Sequence, residues 1–326
     1  MLPKAWLCLL FMGMLISCSP SNTKENDAYL TTNQQKGEDE SATTGEITIG
    51  VDETLRPVGR QMVNAFENMY PDSKFNVLYR PEYALYQAFM EDSVRLILSG
   101  RDLTGAEKHK IVQQTVTPRT TVLGDDALAV IMHPDNPHDS LTRAELQEIL
   151  RGNLDFWDSL DTEQEGEIVL VFDQAKTGAI RFLKETLLSK EDTMKAKRYA
   201  AKGHDDLVDY VSQTPQAIGF IGVSWISDRD DSKVKEYLSR IKLARLETPD
   251  TSDMPGVFIR PYQADIALRR YPLTRTFYCH SREHFSGLGT GFAIFAAGEH
   301  GQRILLKTGL NPQFPPPRYV IFPEKD

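Results

Sequence analysis

The chain has 326 residues, 40% of them hydrophobic and 25% charged, with a formal net charge of −9. That balance describes a globular chain whose folded part is large for one core and suits two lobes. The acidic excess, with no basic cluster along one face, excludes a nucleic-acid surface and requires any anion site to be built locally against the overall field.

At the N-terminus, Lys4 precedes an almost uncharged run over residues 5–16, and small residues follow. A basic flank, a short apolar core and a small-residue end make a secretory signal over residues 1–17. The run is shorter than the roughly 20 apolar residues a membrane span needs. Leu15-Ile16-Ser17-Cys18 resembles the bacterial lipobox. That resemblance implies cleavage before Cys18 and acylation of it, so that lipid holds the mature chain at a membrane. The plainer alternative is an ordinary secretory signal with an incidental cysteine. Residues 18–45 are rich in Ser, Thr, Asn, Gln and acidic residues, too polar to offset their ordering entropy, and read as a flexible tether. With Cys8 in the signal and Cys18 lipidated, Cys279 stands alone and makes no internal disulfide.

Residues 46–51 alternate and read as a strand. A turn at residues 52–54 follows, then a helix with Pro57 in its first turn and Val58, Met62, Phe66 and Met69 on one face. Residues 75–79 form a second strand, 83–90 a short helix and 94–98 a third strand. The last runs into Ser99-Gly100-Arg101-Asp102, after which Thr104 and Glu107 make a capping box. Residues 122–132 are a long apolar segment. The stretch after it holds two histidines and two aspartates among Pro134 and Pro137, which reads as a turn region rather than a metal site. Thr142 and Glu145 open another helix, ending near Arg151. Residues 168–172 are a buried strand, and a helix begins near Thr177-Gly178. Residues 217–226 read as a strand pair or strand-turn. Strands are expected over 262–268 and 276–279. A Gly-rich loop at 286–291 precedes an apolar helix, Gly298 separates it from the next, and a last strand is expected over 318–322. Strands alternating with helices imply a parallel sheet of βαβ units. Cys279, His280 and His284 lack further ligands at zinc spacing, so Cys279 reads as a core thiol.

Tyr271-Pro272-Leu273-Thr274-Arg275, the Gly287-to-Ala293 loop, the Gly301-to-Lys307 helix and Pro215-Gln216-Ala217-Ile218-Gly219-Phe220 follow one family's order and spacing. From Glu46 onward the chain resembles the phosphate-binding solute receptors of ABC importers, in the lipoprotein form of Bacteroidetes. The resemblance implies an α/β chain with a type II periplasmic-binding protein fold, two α/β lobes with a ligand cleft between them. One lobe is expected at 46–125 with 245–326, the other at 126–244. It further implies phosphate or a similar oxyanion as ligand, ABC permease subunits as partners, a monomer, and no cofactor, metal or catalysis.

A tetrahedral oxyanion needs many donors, and helix N-termini supply free N–H groups and positive dipole. Three strand-to-helix turns qualify: Thr54 with Leu55, Ser99-Gly100-Arg101, and Lys176-Thr177-Gly178-Ala179. By the resemblance these three turns hold phosphate. Thr54 serves as ligand hydroxyl, helix cap or both. Ser99 matches a family serine, but Gly100 stands where the family has an aspartate that recognises a proton on phosphate. Arg101 offers a bidentate fork. Thr177-Gly178 matches the Ser/Thr-Gly step, while Ala179 replaces a hydroxyl and Asp173 stands near where some members carry an arginine. Lys176 supplies charge instead, and Arg181 reads as solvated. These departures leave sulfate, another oxyanion or a phosphorylated metabolite open as ligand. A sensory or structural surface lipoprotein of the same fold also stays open. No Gly-x-Ser-x-Gly elbow or metal cluster points to an enzyme.

Overall fold

The structure is a computed structural model, and it describes residues 40–160, 162–175 and 177–315. The signal, Cys18, Lys176 and the strand expected at 318–322 lie outside these residues.

The first α/β unit starts at β1 (Gly45–Asp52), continues through α1 (Arg56–Met69), β2 (Ser73–Arg80), α2 (Glu82–Met90), β3 (Leu96–Ser99) and α3 (Gly105–Val112), and leads into β4 (Arg119–Met132). The second unit holds β5 (Ser140–Leu141), α4 (Arg143–Arg151), β6 (Val169–Phe172), α5 (Gly178–Leu187), β7 (Arg198–Ala200), α6 (His204–Gln213), β8 (Ala217–Gly222), α7 (Ser232–Arg240) and β9 (Lys242–Leu243). The chain returns through β10 (Arg245–Glu247), β11 (Phe258–Ile259), α8 (Gln263–Ala267) and β12 (Thr274–Ser281). It closes on α9 (Leu288–Ala297), α10 (Glu299–Lys307) and β13 (Asn311–Pro312).

The main path of the sheet runs β2-β1-β3-β12-β4-β8-β6-β7. β1 pairs parallel with β2 and β3, and β6 parallel with β7 and β8, as βαβ units demand. The centre differs from an all-parallel sheet: β12 runs antiparallel to both β3 and β4, and β4 antiparallel to β8. The cause is the crossing between lobes. β4 pairs with β12 over residues 119–127 and with β8 over 128–132, so one long strand passes out of the first lobe and β12 passes back beside it.

Burial follows this division. Ile49, Val51, Met62, Phe66, Phe277 and Phe292 belong to one core, and Leu128, Val130, Leu170, Val171, Phe172 and Phe220 to another. A third cluster under α2, with Leu85, Phe89 and Ile97, backs the other face of the first sheet. Residues 245–273, expected with the first lobe, place Leu246, Ile266, Tyr271 and Leu273 in the second core.

Three local expectations are corrected. The segment 262–268 is a short helix rather than a strand, because Ile266 alone turns inward while Tyr262 and Leu268 are exposed. The Gly-rich stretch is largely helix from Leu288, and a Cβ on Gly291 would lie 1.7 Å from the Ala42 carbonyl oxygen, so that glycine serves close packing rather than a loop. That contact also shows that residues 40–45, expected in the tether, pack on the first lobe. There Glu40 pairs with Arg95 at 2.8 Å and accepts from the Leu288 N–H. Both capping boxes form as the sequence indicates, at Thr104/Glu107 and Thr142/Glu145. Cys279 is buried in β12, where desolvation pushes its thiol up to about 12.

Candidate functional site: the interlobe cleft

β1 ends at Asp52, and the chain tightens into a 3₁₀ turn, Glu53–Leu55, before Pro57 sets the first turn of α1. Leu55 is fully buried in the first core and fixes that turn. Asp52 Oδ1 accepts from the Thr54 amide at 2.9 Å and from its hydroxyl at 2.8 Å. The Thr54 hydroxyl therefore has its proton engaged, and its oxygen accepts from Arg275 Nη2 at 2.7 Å.

Arg275, which the sequence marks only as the end of the Tyr271-to-Arg275 motif and not as a ligand residue, is a further candidate site residue. It sits near the start of β12, and the β12/β4 register places it opposite Asp126. Its Nε and Nη2 donate to Asp126 Oδ2 at 2.9 and 2.7 Å, and both residues are buried. Burial raises the Asp126 carboxyl above its ordinary range despite the guanidinium beside it. Arg275 Nη1 is buried with no hydrogen-bond partner among the described residues. A Cβ at Gly100 would lie 3.0 to 3.1 Å from the Arg275 Cζ, Nε and Nη1 atoms. A side chain at position 100 would press on this guanidinium, which would have to give by a few tenths of an ångström, so Gly100 leaves Arg275 its present place.

Ser99 is buried, and its hydroxyl lies 2.8 Å from Tyr86 Oη, which itself donates to the Arg101 carbonyl at 2.7 Å. Arg101 lies over the Tyr86 ring, 3.4 Å from its centroid. Its fork is engaged by both oxygens of Glu107 at 2.8 Å, and its Nε lies 3.4 Å from Glu82 Oε1. Arg101 thus borders the cleft with carboxylate partners already in place.

The second lobe contributes the start of α5. Thr177 is its N-cap, accepting from the Ala179 amide at a loose 3.5 Å, and Thr177, Gly178 and Ala179 are all buried. Asp173, after β6, is buried with neither carboxylate oxygen in a well-formed hydrogen bond. Desolvation pushes its carboxyl up to about 7, against the opposing pull of the nearby Thr177 side chain and helped by the Asp52 charge. Arg181, expected in solvent, reaches across the cleft instead. Its Nε and Nη2 donate to Glu82 at 2.5 and 2.8 Å, and Glu185 holds its other side.

These walls face each other. A Cβ at Gly178 would lie 2.7 Å from Glu82 Oε2 and 3.1 Å from Asp52 Oδ2, so the first turn of α5 looks at two first-lobe carboxylates. Asp52 Oδ2 is buried and unpartnered, and burial pushes that carboxyl up to about 6. Trp225 Nε1 donates to the Glu53 carbonyl at 3.3 Å and Gln61 to Asp228 at 3.2 Å, so the lobes also touch directly. A cavity of about 770 Å³ opens beside this floor, with Tyr83, Tyr86, Thr177 and Ile180 in its walls. Among the described residues no group of three His, Cys, Asp or Glu side chains is placed to hold a metal ion.

Two α/β lobes joined by crossing strands, with the first turn of a second-lobe helix set against first-lobe carboxylates, define a type II periplasmic-binding protein fold. The chain belongs to the PBP superfamily, whose domain matches residues 36–300. It is 21% identical over 289 residues to the phosphate-binding protein PstS of Pseudomonas aeruginosa strain PAO1, covering 83% of this chain and 84% of that one. It is 23% identical over 185 residues to the phosphate-binding protein PstS of Borreliella burgdorferi, a match spanning 55% of this chain and 64%, just under two thirds, of that relative. Among solved structures, a putative phosphate ABC transporter substrate-binding protein with bound phosphate from Clostridium perfringens superposes with TM-score 0.66 at 21% identity, covering 82% of this chain and 99% of that one. An ABC-type phosphate transport receptor from Vibrio cholerae gives 0.60 at 18% identity, covering 82% and 100%. At such identities the superpositions establish the shared fold.

Proposed function

We propose that this protein captures inorganic phosphate, or a closely similar oxyanion, between its lobes and delivers it to the permease of an ABC importer. The observation that most supports this is the free Nη1 of Arg275, a buried charged donor beside Thr54 and Gly100. A buried guanidinium with an unused N–H is costly unless a ligand completes it. Asp52 Oδ2 supplies the complementary acceptor for a ligand that carries a proton, which favours phosphate over sulfate. The relatives named above are phosphate-binding proteins, which points the same way.

The lobes hinge where β4 changes partners, near residue 127, and where the chain enters β12 at Thr274. The lipid on Cys18 and the tether hold the domain at the extracytoplasmic face as a monomer. Among the described residues no helix is long and apolar enough to cross a membrane. A phosphorylated metabolite is a second reading, favoured by the 770 Å³ cavity, which falls within the roughly 300–1,000 Å³ of small-molecule pockets.

Calorimetric titration of the chain from residue 19 onward, stripped of bound anion, decides among these. Phosphate binding at micromolar concentration or tighter, without sulfate heat, is the expected result. A phosphate monoester binding more tightly than phosphate selects the second reading. Silence with every anion, from a folded sample, rejects the proposal.

A further inference from the structure

The carboxylate of Glu82 is in an unusual place for an acidic side chain in an anion-binding protein. It starts α2 in the first lobe, is 4% exposed, and lies against the positive end of α5 in the second. Its two oxygens receive the Nε and Nη2 of Arg181, and Arg101 Nε approaches within 3.4 Å. A helix N-terminus with two arginines is the environment an oxyanion seeks. Beside it, Asp52 Oδ2 is buried, unpartnered and turned toward the same first turn of α5. Two carboxylate oxygens therefore share one positive helix end, and one of them has no donor.

We propose that Glu82 is a built-in stand-in for the ligand: its carboxylate occupies an oxyanion position formed by Arg101, Arg181 and the first turn of α5, and the incoming anion displaces it. This assigns ligand contacts to Arg181 as well as Arg101, and it rests on the oxyanion reading above.

Two features make the exchange feasible. Glu82 lines the 770 Å³ cavity, so its side chain has room to rotate outward without movement of α2. Each arginine also keeps a second carboxylate when Glu82 leaves, Glu107 for Arg101 and Glu185 for Arg181. The free protein consequently holds its lobes together on its own side chain, and anion binding competes with that contact. If Glu82 vacates the position about a tenth of the time, apparent affinity is reduced about tenfold by this occupancy alone.

The test compares inorganic phosphate titrations of the wild-type chain with Glu82→Gln and Glu82→Ala, each checked by its thermal melt. The proposal expects at least about tenfold tighter binding in both variants. It also expects Arg181→Ala to weaken binding in the Glu82→Ala background, which a purely structural bridge would not produce. Glu82→Gln is nearly isosteric and carries the comparison if the alanine variant does not fold. Unchanged or weaker phosphate binding in the variants, with the wild type binding normally, overturns this inference and leaves the oxyanion reading standing. Binding in the variants but not the wild type supports it. Silence in all three folded proteins overturns both.

Discussion

The two walls of the cleft solve the same electrostatic problem differently. On the first wall a continuous chain of contacts runs Asp52, Thr54, Arg275, Asp126, and the cation sits between two carboxylates. On the second wall Asp173 is buried with no well-formed hydrogen bond among the described residues, and positive character comes from the backbone at the start of α5. The first wall is organised by strand register, the second by one helix end and a loose cap. Charge fixed by register is rigid and costly to disturb. Charge offered by a helix end is weaker and is modulated by the acids around it.

The strongest way to break this contrast is Arg275→Met. It leaves Asp126 as a buried charge without its partner, which costs about 3–5 kcal/mol. Chemical denaturation should show that loss, and phosphate binding should vanish in whatever fraction folds. Arg275→Lys keeps the charge without the fork and should retain the fold better than it retains affinity. A folded Arg275→Met protein with wild-type affinity would move the site off the first wall.

The second wall predicts a pH effect. The Asp173 carboxyl is raised from 3.8 to about 7, so between those values the folded protein holds a proton that the unfolded chain has released. Stability from this group should therefore rise as pH falls from about 7 toward 4. Each tenfold change in proton affinity is worth about 1.4 kcal/mol, so the ionised form costs up to about 4 kcal/mol at pH 8. Asp173→Asn should melt higher than wild type at pH 8, with the difference disappearing near pH 4. A constant difference across that range would mean that Asp173 ionises normally.

The same contrast explains what the sequence could convey. The capping boxes at Thr104 and Thr142, the strand at β1 and the opening of α5 are set by neighbours within a few residues, and local pattern shows them. Arg275 and Asp126 lie 149 positions apart and meet only through strand pairing, so nothing near either one marks the pair. Gly100 reads as a missing acceptor because an absent side chain shows only what is lost. The space it leaves becomes meaningful once the guanidinium is seen to fill it. Arg181 reads as solvated because its helical position implies exposure, and its partner Glu82 belongs to the opposite lobe.

The smallest effects sharpen the comparison most. Thr54→Val removes a hydroxyl, but Arg275 keeps Asp126 and Asp52 keeps the Thr54 amide, so the loss should be about 1 kcal/mol. Thr177→Ala removes a cap that is already long at 3.5 Å, and about 0.5 kcal/mol is expected. The two side chains stand on opposite walls and share no hydrogen-bond partner, and Asp52, held by Thr54, touches Asp173 beside Thr177 only through charge, so in denaturation experiments without anion their effects should add to within about 0.5 kcal/mol. Titration with phosphate is different, because one ligand would touch both walls at once. A double variant that loses more or less affinity than the sum of the single losses, while remaining additive in stability, would show that the anion bridges the lobes. Additivity in both measurements would confine the ligand to a single wall.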